Sequence, residues 1–180
     1  MMKYRRNHLD AMNRALKVID EIDVEFARTF GRRYGGCLEE YRMEDAEIAL
    51  ITIGGMSGAG KDAVDIMREN GVHAGLVRLR FIRPFPADRI REALSKVKAF
   101  AVVDRSVSFG WSQGPMHMEV KAALADCEKR FCHFSAIGGL GGADISVKHM
   151  KLCLEKLNTE KSISGEKPTV WLLGETGEMK

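Results

Sequence analysis

A chain of 180 residues with 45% hydrophobic and 29% charged side chains has the composition of a globular protein, long enough for one domain with an appendage. Its net charge of +3 is small, and its basic residues are interleaved with acids, so nucleic acid is not an expected partner. The sequence contains no apolar run fit to span a bilayer and no signal-peptide pattern, so no membrane is expected either, and a cytoplasmic location follows by default.

In chain order, residues 3–30 carry Leu9, Met12, Leu16, Ile19, Ile22, Phe26 and Phe30 at spacings of three and four, which predicts one long helix. Gly31 ends it and Gly35-Gly36 predicts a turn. Two readings of this helix stay open, a strut leaning on another part of an assembly and a surface helix packed on the domain that follows.

From Asp45 the pattern alternates between short apolar runs and amphipathic segments. Residues 46–53 suit a strand buried on both faces, and a glycine loop leads to a helix over 60–70. Residues 74–82 predict a strand, 87–97 a helix, 99–104 a strand, 115–125 a helix, 131–137 a strand and 146–157 a helix. Such alternation implies α/β architecture: a mostly parallel sheet of four to five strands with helices on both faces, preceded by the long helix. Residues 1–44 are then an N-terminal helix and linker, 45–157 the α/β domain and 158–180 a C-terminal arm, polar over 158–167 and able to add an edge strand at 168–173.

Residues 78–86 sit at the centre of this plan. Alternation places Val77, Leu79 and Phe81 on one face and Arg78, Arg80 and Ile82 on the other. Pro84 and Pro86 then stiffen the exit, with Phe85 held out as an anchor and Arg83 as its polar companion. The same residues also suit a packed bend with Phe85 in the local core.

In a parallel sheet the loops after the strands share one edge, where such folds place ligands. The first, from Gly55 to Lys61, nearly matches the phosphate-cradling P-loop, and residues 99–104 resemble the apolar strand that ends in a magnesium-binding Asp. A P-loop, however, follows its lysine with Ser or Thr, and Asp62 puts a carboxylate there instead. A P-loop-like nucleotide-binding enzyme therefore stands as the alternative function, beside glycines that merely let the helix approach the strand. Asp104 and Asp144 are an acid/base pair or two helix caps. Gly138, Gly139, Gly141 and Gly142 offer backbone amides to an anion or simply make tight turns. Cys37, Cys127, Cys132 and Cys153 lack the spacing of a zinc or iron–sulfur site, and five scattered histidines suggest no chemistry, so no catalytic residue and no metal ligand is assigned.

Taken together, Arg80-Phe-Ile-Arg-Pro-Phe-Pro86, Val103-Asp-Arg-Ser-Val-Ser-Phe-Gly110 and Gly139-Leu-Gly-Gly-Ala-Asp144 resemble the alpha subunit of pyruvate:ferredoxin oxidoreductase and related 2-oxoacid:ferredoxin oxidoreductases. Phe30-Gly-Arg-Arg-Tyr-Gly35 and Glu40-Tyr-Arg-Met-Glu-Asp-Ala46 fit the same pattern, so the resemblance covers nearly the whole chain. It implies a transketolase C-terminal-like domain and a role as the C-terminal piece of that subunit, inactive alone. The full assembly would oxidise a 2-oxoacid, with pyruvate expected from the commonest members, to acyl-CoA. Thiamine diphosphate, magnesium, iron–sulfur clusters and coenzyme A would be bound by other domains or subunits, and partners would be thiamine-binding and ferredoxin-like subunits, with ferredoxin reached through the complex. The implied interface is Arg83, Phe85, Arg105, Phe109, Gly139, Gly141, Gly142 and Asp144. Two departures bear on it: Ala143 stands where many relatives have arginine, and Trp111-Ser-Gln113 where relatives are commonly glycine-rich. A free-standing binding module of the same fold is a further alternative.

Overall fold

The computed structural model describes residues 1–174 together with 178 and 179. In chain order the elements are α1 (Met2–Phe30), β1 (Leu38–Tyr41), β2 (Ile48–Ile53), α2 (Ser57–Glu69), β3 (Ala74–Leu79), α3 (Ala87–Ala93), β4 (Ala99–Asp104), α4 (Pro115–Leu124), β5 (Cys132–Ile137), α5 (Val147–Glu160), β6 (Gly165–Glu166), β7 (Val170–Leu173) and β8 (Glu178–Met179). The sheet runs β1-β3-β2-β4-β5-β7-β8, with β6 paired beside β5. Strands β3, β2, β4, β5 and β7 are parallel, and these are the four to five strands expected. The structure adds antiparallel β1 and β8 at the two edges and the two-residue β6.

Every residue of β4 is buried, because helices cover both faces. On one face Leu50, Leu76, Ala101, Val103 and Phe134 pack with Val64 and Met67 of α2 and Met150, Leu154 and Leu157 of α5. On the other, Ile51, Val77, Leu79, Phe100 and Val102 pack with Ile90 of α3 and Met116 and Val120 of α4. Gly60 lies where a β-carbon would stand 2.4 Å from Leu76 Cδ1, which draws α2 close to β3.

The elements differ from the expected plan at three places. Strand β1 joins the sheet ahead of residue 45, because Leu38 and Tyr41 pair with Leu79 and Leu76. β3 stops at Leu79 instead of continuing to Ile82, leaving Phe81 and Ile82 each 39% exposed. The polar stretch expected as a linker holds the end of α5 and all of β6, so much of the C-terminal arm belongs to the sheet. The rest of that arm, 175–177 and 180, lies outside the described residues.

Helix α1, about 43 Å long at 1.5 Å per residue, ends in a left-handed Gly31. The returning chain is tied to it through Asp23, whose carboxylate accepts from Arg33 Nε at 2.9 Å and from the Tyr34 amide at 3.0 Å. Its other half leaves Tyr4 and Leu9 exposed, as does a strut, and the only buried residue of the helix among those described is Asp23. No helix among the described residues is long and apolar enough to cross a membrane.

Candidate functional site at the carboxyl edge of the sheet

Parallel pairing of β3, β2, β4 and β5 sets the ends of all four strands along one edge. The loops there carry most of the residues singled out from the sequence. They do not form one constellation.

The tightest grouping joins the ends of β4 and β5. Arg105 Nη2 donates to the carbonyls of Gly139, at 3.2 Å, and Ala143, at 3.4 Å. Gly139 and Gly141 are left-handed, at φ of 69° and 66°, which wraps the glycine loop around the guanidinium. Asp144, Asp62, Gly55 and Ser146 join Arg105 around a cleft of about 410 Å³. Two carboxylates and a guanidinium already spent on carbonyls make a poor cradle for a diphosphate.

Arg83 lies apart from that cleft. Its guanidinium is exposed and pairs with Glu119 of α4, while a second nitrogen donates to the Ile82 carbonyl at 2.7 Å. Phe85 is half-buried and packs on the core beneath α3 and α4, so it is not held out as a free anchor. The apolar groups displayed nearby are Phe81 and Ile82, put there by the early end of β3.

Phe109 is displayed fully, at 93% exposure. It tops a hairpin closed by the Ser108–Gln113 bridge, with Trp111 beside it and a left-handed Ser112 at the turn. With Trp111, Thr169 and Trp171 it borders a cavity of about 790 Å³ between this hairpin and the start of β7.

The near-P-loop is not a phosphate cradle. Residues 54–56 form a single tight turn and Ser57 already begins α2, so the amides that would face phosphate lie within helical structure. Lys61 pairs with Glu39 on β1 and lies over the Tyr41 ring, away from any such loop. Burial would raise the Glu39 carboxyl, but the Lys61 hydrogen bond and the charges of Lys61, Arg80 and Arg78 hold it below its ordinary value.

Asp104 and Asp144 are not an acid/base pair. Asp104 caps α4, accepting from the Met116 amide at 3.1 Å and the His117 amide at 3.2 Å. Gly114 gives it room, since a β-carbon there would meet Asp104 Oδ2 at 2.0 Å. Burial pushes the Asp104 carboxyl up to about 6 against the pull of the two amides. Cys37, Cys132 and Cys153 are buried and free, and burial raises the Cys153 thiol to about 12, out of reach of thiolate chemistry at neutral pH.

One cluster escaped the sequence reading. His117 Nε2 lies 3.1 Å from His133 Nδ1, and Glu166 completes a trio with ligand atoms within 4.8 Å of one another. Burial lowers His117 to about 4, helped by His133, and burial likewise lowers His133. The three residues stand 16 and 33 positions apart and are joined by β6, whose two residues carry no periodic signal.

Comparison with known proteins gives the chain a family. The family model described as pyruvate:ferredoxin oxidoreductase core domain II matches residues 46–150. The alpha subunit of an NADH-dependent phenylglyoxylate dehydrogenase from Aromatoleum evansii is 42% identical over 95% of this chain and 41% of its own length. The pyruvate synthase subunit PorA of Thermotoga maritima is 39% identical over 85% of this chain and 38% of its own. A solved 2-oxoglutarate:ferredoxin oxidoreductase from Magnetococcus marinus, with 2-oxoglutarate, coenzyme A and succinyl-CoA bound, aligns at a TM-score of 0.49 and 15% identity, over 76% of this chain and 21% of its own. The chain spans about two-fifths of the length of the curated relatives it matches.

Proposed function

The chain belongs to the pyruvate:ferredoxin oxidoreductase core domain II family, and on that premise we propose that it is an assembly domain of a 2-oxoacid:ferredoxin oxidoreductase alpha subunit. In this reading the full enzyme converts a 2-oxoacid and coenzyme A to an acyl-CoA and CO₂ and passes electrons to ferredoxin. The chain itself supplies contacts rather than reacting groups. Other domains or subunits hold thiamine diphosphate, magnesium, the iron–sulfur clusters and coenzyme A, and the two-carboxylate cleft beside Arg105 does not suit the diphosphate.

The observation that carries the reading is the carboxyl edge itself. Three of its polar side chains are engaged within the chain: Asp104 caps α4, Arg105 braces the glycine loop and Arg83 pairs with Glu119. Beside the exposed carboxylates of Asp62 and Asp144 the edge displays apolar side chains, Phe109, Trp111, Phe81 and Ile82, and desolvated aromatic anchors are what a protein partner recognises. Arg83, Arg105, Gly139, Gly141, Gly142 and Asp144 shape that edge, with Phe109 as the principal anchor.

Co-expression of the chain with thiamine-binding and ferredoxin-like companion subunits tests the proposal. A stable complex that oxidises pyruvate or phenylglyoxylate in a coenzyme A-dependent reaction, beside an isolated chain that oxidises neither, is the expected result. Turnover by the isolated chain overturns the assembly role, and failure to associate with any companion overturns the functional reading. The two substrates separate a pyruvate enzyme from an aryl 2-oxoacid enzyme.

A further inference from the structure

At the opposite end of β5 from Arg105 and Gly139, three side chains meet that assembly at the carboxyl edge does not employ. His133 and Glu166 are direct partners across β5 and β6, and His117 of α4 reaches the same face of the sheet. The hydrogen bonds around them set their tautomers. Glu166 accepts from Gln113 Nε2 and, at 2.7 Å, from Lys121 Nζ. The amide oxygen of Gln113 therefore turns towards His117 Nδ1, 3.2 Å away, and accepts a hydrogen bond from its N–H. His117 Nε2 is left as a lone pair aimed at His133 Nδ1. A metal-binding histidine needs that arrangement: one ring nitrogen donating to an oxygen, the other bare and fixed in direction.

We propose that His117, His133 and Glu166 form a binding site for a divalent late first-row cation, Zn²⁺ by preference, with one coordination position left open. The ring nitrogens stand 3.1 Å apart. Two nitrogens on a tetrahedral Zn²⁺ with bonds of 2.0–2.1 Å are separated by about 3.3 Å, so the spacing already suits an ion and binding asks each ring for a tilt that turns its lone pair from the other ring to the metal. His133 has also to carry its proton on Nε2 instead of Nδ1, while its ring stays stacked on Phe100 at 5.1 Å between centroids. Two imidazoles and a carboxylate select zinc-like ions over magnesium or calcium, which prefer all-oxygen shells. His133 and Glu166 line a cleft of about 350 Å³ with Phe131, Lys121 and Lys129, through which water or a small anion has a route to the ion.

Lys121 is the built-in competitor. Its ammonium neutralises Glu166 in the metal-free chain and must swing out to solvent when a dication arrives, which its 35% exposed side chain permits. This distinguishes an ion site from a hydrogen-bonded latch that merely ties β6 to α4. A latch is weakened by removing Lys121, whereas an ion site is strengthened.

The test uses the full chain. Calorimetric titration with Zn²⁺ should show one ion per chain, Co²⁺ should give the intense visible bands of a four-coordinate site, and Zn²⁺ but not Mg²⁺ should raise the melting temperature. Glu166→Gln and His133→Phe, which keeps the stack on Phe100, should each weaken Zn²⁺ binding by at least about tenfold, with folding checked by circular dichroism. Lys121→Met should tighten it. A wild-type chain with no stoichiometric Zn²⁺ site, a site unaffected by both ligand substitutions, or binding weakened by Lys121→Met overturns the proposal.

Discussion

Arg105 occupies the space that a side chain at Gly139 would need: its Nε lies 2.8 Å from where a β-carbon would stand, and its Nη2 holds the Gly139 carbonyl at 3.2 Å. Gly139 is also left-handed, at φ of 69°. Gly139→Ala therefore meets backbone strain and a clash together, and should cost about 1–3 kcal/mol in urea denaturation while freeing Arg105 from its loop. Unchanged stability would show that the loop gives way easily.

The two phenylalanines expected at the interface now part company. Phe109→Ala removes a fully exposed ring and should leave the isolated chain within about 0.5 kcal/mol of wild type while weakening association with companion subunits. Phe85→Ala removes a half-buried ring from the edge of the core cluster and should cost about 2–4 kcal/mol in the isolated chain. Denaturation and gel filtration with the companions give both readouts, and the opposite ranking would restore Phe85 as the anchor.

Nucleotide should have no effect. Lys61 is held by Glu39, and the turn over 54–56 leads directly into α2, so millimolar Mg-ATP should leave the melting temperature where it is. Lys61→Met should instead lower it slightly, by releasing Glu39 among Arg78 and Arg80 without its nearest partner.

Glu47 gives the chain an acid-sensitive tie between β4 and α5. Hydrogen bonds from Lys161 and Lys98 lower its carboxyl from 4.5 to about 2. A carboxyl lowered in the folded state stabilises above its unfolded value and loses that contribution as pH falls through its folded one. Wild type should therefore lose stability relative to Glu47→Gln between pH 4.5 and 2, read as the difference in melting temperature across a pH series. A constant difference over that range would show that the pairs contribute nothing.

Asp104→Ala should destabilise strongly, because it strands the buried amides of Met116 and His117 at the start of α4, at a cost of about 2 kcal/mol or more. Hydrogen exchange at those two amides should rise with it. Loss of stability without faster exchange there would move the cause elsewhere.

The alternation of apolar runs with amphipathic segments settles β2, β3, β4, β5 and the helices between them without a structure, since a strand covered on both faces must be apolar throughout and a helix over it must carry a stripe. Motif order also led to the correct family, because several short signals in sequence are jointly specific where each alone is weak. The near-P-loop shows the cost of reading one motif alone: its last glycine, Gly60, lets α2 close on Leu76 and its lysine belongs to Glu39.

Tertiary structure decided what pairing between distant residues decides. β1 has four residues and β6 two, too few for any period, and each exists because a neighbouring strand offers it hydrogen bonds. The polar stretch around Glu166 reads as linker until β5 draws it into register with His133, and only then do His117, His133 and Glu166 share one point in space. Likewise β3 ends at Leu79, which leaves Phe81 and Ile82 exposed, while Phe85 beyond the prolines packs half-buried against the core. Local sequence carried the layers, because burial imposes a period on each element. The residues available for contact and for chemistry came from register between strands, which no single segment encodes.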